Sequence, residues 1–207
     1  MNRFSSLLLL HVLTALFIGC ETPVEQVSEQ DEYGNTATWV RRKDDFARHG
    51  LYTVVNAAGT VVETAMFQND TLHGLRVLFN EKGDTSIVEH YHRGLFTDAY
   101  RTYHDNGQLR QKGQYEQNAM TGVWYKYYDN GQLEEEVTFV NNEENGPFRE
   151  YYRDGTLAAE GSYLNGDNEH GELKLYDERG ALKKKMQCDN GRCQTIWLAE
   201  TAESTPQ

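Results

Sequence analysis

Cys188 and Cys193 are the two side chains whose type and spacing point most directly to chemistry. They bracket Asp189-Asn190-Gly191-Arg192, and Asn-Gly is a strong signal for a two-residue hairpin turn. With Asn190-Gly191 at the tip, Asp189 and Arg192 form the hydrogen-bonded closing pair. The cysteines then face each other at the next rung, where Cα atoms approach to about 4.5 Å. That is within disulfide range, so the expected chemistry is oxidation to a Cys188–Cys193 bridge. The competing reading is a pair of free thiols; a zinc site lacks a second ligand pair at suitable spacing. Other reactive types are scattered. His90 and His92 share a face by strand alternation, with His104 elsewhere, and two imidazoles alone make a poor metal site. Glu134-Glu135-Glu136 and Glu143-Glu144 read as solvated charges that suppress edge aggregation. No Ser-His-Asp spacing, phosphate loop or HExxH motif occurs. The sequence calls for no catalytic residue, no metal and no cofactor, and the protein is expected not to be an enzyme.

The composition narrows the partners. The chain has 207 residues and a net charge of -12. A nucleic-acid binder needs a basic stripe, so nucleic acid is excluded as a partner. A docking surface for anionic lipid is disfavoured for the same reason. Thirteen Tyr, 8 Phe and 3 Trp are too many for a disordered chain, and 18 Gly against 3 Pro imply many tight turns.

The third cysteine reads as an address. Arg3 precedes an apolar run, Leu7 to Ile18, broken by His11 and Thr14 and ending Gly19-Cys20. The run is too short to span a bilayer and reads as a signal peptide. Its ending resembles a bacterial lipoprotein lipobox, with Phe17 where that motif prefers Leu. The resemblance implies lipidation of Cys20 and cleavage before it; the competing reading is an ordinary secretory signal with an incidental cysteine. Glu21 beside Cys20 resembles outer-membrane sorting in hosts with two membranes.

Stepping along the chain, one period dominates. Gly50, Gly74, Gly122, Gly146 and Gly171 recur at spacings of 24, twice 24, 24 and 25, and Asp98 holds the skipped place. Nine residues after each start stands Gly59, Gly83, Gly107, Gly131, Gly155 or Gly180. Internal repetition therefore decides the fold. A three-residue loop with Gly in a bulge fits this second series, and it places Tyr103 opposite Leu109, Tyr127 opposite Leu133, Tyr151 opposite Leu157 and Tyr176 opposite Leu182. The other turn of each unit is expected to be a two-residue one at Asn69-Asp70, Arg93-Gly94, Gln117-Asn118, Asn141-Asn142, Asn165-Gly166 and Asn190-Gly191. It sets Phe67 against Leu72, Tyr91 against Phe96 and Tyr115 against Met120. Trp197 is expected in the frame position of Tyr52, Tyr100, Trp124 and Phe148.

The expected fold class is all-β: an elongated antiparallel β-meander of six hairpin repeats of about 24 residues, forming a single repetitive sheet. The expected organisation is a lipoprotein signal peptide at 1–19, an acidic tether at 20–37 and a candidate N-terminal cap at 38–49. Six repeats follow at 50–193, then a closing strand at 194–198 and a flexible tail at 199–207.

The segments Gly122-Val123-Trp124-Tyr125-Lys126-Tyr127-Tyr128-Asp129-Asn130-Gly131-Gln132-Leu133 and Gly146-Pro147-Phe148-Arg149-Glu150-Tyr151-Tyr152-Arg153-Asp154-Gly155-Thr156-Leu157 carry a resemblance. They resemble the MORN repeat variant of bacterial proteins labelled as YwqK-type antitoxins, over roughly residues 50 to 193. The repeat specifies architecture strongly and function weakly. The leading expectation is a membrane-anchored, non-catalytic β-repeat lipoprotein that acts as a binding module in the bacterial cell envelope. The alternative, implied by the family label, is an antitoxin or immunity-like protein that neutralises a cognate toxin. The partners expected are the membrane, through the N-terminal lipid, and a protein rather than a glycan.

Tyr100, Trp124 and Phe148 are the candidate binding residues, with Tyr103, Tyr127 and Tyr151 on the opposite face. A single-layer sheet leaves one aromatic row exposed unless it coils. Trp124 is the expected anchor, with Glu136 across the hairpin forming an acidic rim that prefers a neutral or basic partner. The competing reading is that both rows form the hydrophobic ladder of a thin sheet.

Overall fold

The computed structural model describes residues 22–200. The expected signal peptide and Cys20 lie outside these residues, as does most of the expected tail. Sixteen strands form one antiparallel sheet. Three strands precede the period or overlap its start: β1 (Val24–Gln30), β2 (Thr36–Arg42) and β3 (Arg48–Val55). β4 (Val61–Gln68), β5 (Thr71–Phe79) and β6 (Thr85–His92) complete the first two units. The third contains β7 (Leu95–Phe96), β8 (Asp98–Tyr103) and β9 (Leu109–Glu116). β10 (Ala119–Tyr127), β11 (Leu133–Val140), β12 (Glu143–Tyr151) and β13 (Leu157–Tyr163) form units four and five. β14 (Gly171–Tyr176), β15 (Leu182–Asp189) and β16 (Arg192–Leu198) end the sheet. Each strand pairs with its sequence neighbour, except that β6 pairs with both β7 and β8. The path is open, with β1 and β16 at its two edges. No helix occurs among the described residues.

Turn chemistry accounts for the register. In the three-residue loops the amide of Gly107 donates to His104 O at 2.8 Å, and His104 N to Gln108 O at 2.8 Å. Gly107 has φ of 81°, a conformation glycine adopts without steric cost. The extra residue produces a bulge, and Tyr103 faces Leu109, Tyr127 Leu133, Tyr151 Leu157 and Tyr176 Leu182. At the opposite end both residues of each two-residue turn have positive φ, as at Asn141 (53°) and Asn142 (70°). Phe67 meets Leu72, Tyr91 Phe96, Tyr115 Met120 and Cys188 Cys193, as the turns require. The fifth turn departs from this rule. Tyr163 bridges to Glu169, and Leu164 N donates to Asn168 O at 2.9 Å. Residues six apart meet across that loop where the other turns pair residues five apart, and this one extra residue explains why the fifth unit has 25.

Hydrogen bonds between successive units hold the turn rows together. Asn118 N donates to Phe96 O at 2.9 Å, while Asn118 Oδ1 accepts from Phe96 N at 2.7 Å. Asn142 makes the same pair with Met120, at 3.2 and 2.7 Å. On the other row the Tyr128 hydroxyl donates to Tyr151 O and the Tyr152 hydroxyl to Tyr176 O, each at 2.8 Å. A side chain of each unit thus satisfies the backbone of its neighbour, the nearest-neighbour coupling of a repeat array.

Two expectations at the ends are corrected. The acidic tether expected at 20–37 is instead sheet from Val24 onward, since β1 pairs with β2 along its whole length, and the segment expected as a cap contributes β2, which pairs with β3. Val27 faces Trp39, and Glu25 Oε1 lies 2.7 Å from the Arg41 guanidinium, so partnered side chains fix a segment whose composition looks solvated. At the other edge Trp197 does not occupy the place of Trp124. β16 meets β15 with a one-residue register shift between Lys185 and Met186, Trp197 faces Lys185, and the indole is 42% exposed.

Candidate functional site

Trp124 is 2% exposed and Phe148 4%. With Val137, Ala159, Leu173 and Cys188 they form the buried cluster, against which Tyr100 packs half-buried. This corrects their expected role as presented binding residues. The cause is the bulge beside each unit start, for example between Thr121 and Tyr125 and between Val137 and Phe139. Bulges bend strands and increase twist, and the rings of neighbouring strands pack over one another on one face. Tyr100 and Tyr115 ring centroids lie 5.7 and 5.2 Å from that of Trp124, and Phe148 stacks on Tyr163 at 4.2 Å. The rings are a structural ladder. Glu136 faces Tyr125 rather than Trp124, whose partner is Val137.

One unit breaks the ladder. Frame positions filled by Tyr52 and Ala65, or by Trp124 and Val137, are occupied in unit two by Arg76 and Glu89. Arg76 Nε lies 2.7 Å from Glu63 Oε1, and Nη1 lies 3.0 Å from Glu89 Oε2. Tyr91 donates to the same Glu89 oxygen at 3.2 Å. Burial disfavours the Arg76 charge, but the two carboxylates outweigh it and hold its pKa above the usual arginine value. Burial, then the Glu89 charge, pushes the Tyr91 hydroxyl upward. This triad was missed in the sequence, although Arg76 stands visibly where the other units carry apolar or aromatic residues. It is fully partnered, and we read it as structural.

Beyond the apolar cluster, Lys126, Glu135 and Glu150 share the inner face with Trp124, Val137 and Phe148 by strand alternation. They line a cleft of about 330 Å³ with Glu134, Tyr128, Tyr151 and Tyr152. Glu135 stands directly opposite Glu150 in the β11–β12 register. Lys126 Nζ is bonded to Glu134 at 2.7 Å, so its charge is already engaged. Burial pushes Glu135 above its ordinary pKa, with Lys126 opposing and Glu144, Glu150 and Glu134 reinforcing. Burial likewise raises the Tyr163 hydroxyl, reinforced by Glu150, Glu144 and Glu135. The cleft therefore concentrates negative charge against tyrosine rings. Its chemistry suits recognition of a cationic or hydrogen-bond-donating group. Glu134, Glu135 and Glu136 are thus not edge charges: β11 is an interior strand, Glu134 pairs with Lys126, and Glu136 with Arg149 at 3.1 Å.

The remaining candidates are accounted for. Cys188 and Cys193 are bonded to each other across the last hairpin, with Cα atoms 4.0 Å apart. His90 Nδ1 lies 2.9 Å from Ala99 O and His104 Nε2 lies 2.8 Å from Tyr127 O, so both imidazoles serve the backbone. His92 instead packs near His73, ring centroids 5.0 Å apart. No cluster of three or more metal-ligating side chains occurs among the described residues.

The comparisons agree with the repeat geometry. The sequence model of the MORN repeat variant matches residues 99–117, 120–141 and 144–165, which include the two units that line the cleft. No curated protein matches the chain. Among solved structures, a porin-like protein from Bacteroides uniformis is similar at 10% identity, over 84% of this chain and 93% of that one, with a TM-score of 0.22. That superposition is too loose to bear on function. The protein is a repetitive all-β sheet in which residues 99–117, 120–141 and 144–165 match the model of the MORN repeat variant.

Proposed function

We propose that this protein is a membrane-anchored, non-catalytic binding module of the bacterial cell envelope. In this reading Cys20 carries the lipid, and the cleft of units four and five receives a basic segment of a protein partner. The observation that carries the binding half is the opposition of Glu135 and Glu150 in a tyrosine-lined cleft. Opposed like charges destabilise a sheet, and a cation bridging them in the complex relieves that repulsion, as Lys126 opposite Glu135 does only from one side. The anchoring half rests on the Gly19-Cys20 signal pattern. A photo-crosslinking residue at Tyr151, expressed in the native envelope, tests the binding half. The expected result is one adduct of defined mass, lost in Glu135→Gln/Glu150→Gln. Adducts that persist in the double variant contradict it. An adduct with a toxin whose activity the protein blocks would turn the reading toward neutralisation.

A further inference from the structure

The start of β1 places a strict limit on how far the fold stands from any lipid held at Cys20. Pro23 O accepts a hydrogen bond from Lys43 N at 2.9 Å, and Val24 faces Arg42. The chain is therefore pinned to the β2–β3 turn at Pro23. Three residue-to-residue steps lead from this point back to Cys20, a reach of at most about 11 Å. The turn that must lie nearest the anchor has an unusual composition. Phe46 at its end is 60% exposed and has φ of 61°, whereas the other non-glycine residues with positive φ among the described residues are Asn, Asp, Gln or Arg. A bulky residue there is strained, and backbone strain of this kind clusters at functional sites. The Arg41 guanidinium covers one side of the ring at 4.9 Å.

Charge separates this turn from the four C-terminal turns of its row, whereas the Arg93-Gly94 turn is not acidic. Arg42 is paired with Asp44 and Asp45, and Lys43 is exposed beside them, so the tip is close to balanced. Later turns on the same side carry Glu116, Glu143, Glu144, Asp167, Glu169 and Asp189, which an anionic surface would repel. We propose that the β2–β3 turn, with Phe46 at its tip, seats in the headgroup region of the bilayer that holds acylated Cys20, while the later units stand clear of it. This rests on the anchoring proposed above and adds an orientation: the sheet meets the membrane at its N-terminal edge.

The test uses full-length protein purified from membranes and placed in phosphatidylcholine vesicles, with acylation of Cys20 read from its intact mass. An environment-sensitive dye is attached through Lys43→Cys, which removes no side-chain contact. A control label goes on Glu178→Cys in the last unit. Emission at position 43 should rise about two-fold in vesicles, as for groups entering the interface, with no rise at 178. In the Lys43→Cys/Phe46→Ser variant most of that rise should be lost. Acylated protein with a water-like signal at 43, or equal rises at both positions, overturns the seating and leaves the anchoring intact. Protein with an unmodified Cys20 overturns the anchoring, and the seating with it.

Discussion

Gly113 lies beneath the indole of Trp124: a Cβ at Gly113 would stand 2.1 Å from Trp124 Cδ2. Phe148 has a similar seat on its other side: Gly161, its register partner on the following strand, would place a Cβ 2.8 Å from Phe148 Cε1. Large rings are thus buried by small residues on the adjoining strand, and a glycine that ordinarily weakens a strand becomes the seat of the core. Gly113→Ala should cost about 1–3 kcal/mol by overpacking, and Trp124→Ala about 3–5 kcal/mol by cavity formation. In the Trp124→Ala background Gly113→Ala should become neutral or stabilising, because alanine suits a strand interior better than glycine. Urea unfolding of the four proteins checks this change of sign.

The turn staple at Asn142 separates two contributions. Asn142→Ala removes the bond from Met120 N and places a Cβ without a polar side chain at φ of 70°. Its cost should be about 2 kcal/mol, combining lost hydrogen bond and left-handed backbone. Asn142→Gly keeps the backbone free and loses only the bond, so about 1 kcal/mol is expected. Equal losses in the two variants would show that φ contributes little.

Reduction of the Cys188–Cys193 bridge should be a modest perturbation. The bridge joins residues five apart in sequence, and closing so short a loop contributes roughly 2 kcal/mol on the chain-entropy account. Cys188 is nonetheless 1% exposed, so Cys193→Ser, which leaves it as a buried thiol, should be milder than Cys188→Ser. Thermal melts with and without reductant, together with thiol counting in denaturant, measure both effects.

Glu135 gives a pH signature. A carboxyl whose pKa is raised in the folded state stabilises the fold most below its unfolded value, and that contribution is lost as pH rises through the folded one. Glu135→Gln should therefore raise the melting temperature at neutral pH and lose that advantage below the ordinary value of 4.5. Glu160 has the opposite sign. Hydrogen bonds from Lys174 and Tyr176 depress its pKa, so its contribution is present at neutral pH and disappears as pH falls through the depressed value.

The registers were legible because they follow from local chemistry. Two positive-φ residues at Asn141-Asn142, or a glycine three residues into a loop at Gly107, determine which side chains meet across a hairpin. The burial of Trp124 was not read from the sequence, although the unit-start glycines mark the bulges: Gly122 and Gly146 have φ of 69° and 125°, but which rings then cover one another depends on the packing of neighbouring strands. β1 was hidden by its composition, with only Val24 and Val27 as apolar residues. Its turn did carry a signal: Gly34 precedes Gly59 by 25 residues, as Gly155 precedes Gly180, and Asp31 caps it by accepting from Asn35 N at 2.8 Å. The cleft was half visible. Glu135 and Glu150 could be seen as charges, but only the β11–β12 register sets them face to face.

Mass spectrometry of the N-terminal peptide from membrane-purified protein tests the central claim of an anchored envelope module most directly. The account predicts a chain that begins at Cys20 and carries acyl groups, with Cys20→Ser releasing the protein from the membrane fraction. A mature chain beginning elsewhere with an unmodified terminus, and membrane fractionation unchanged in Cys20→Ser, would contradict it.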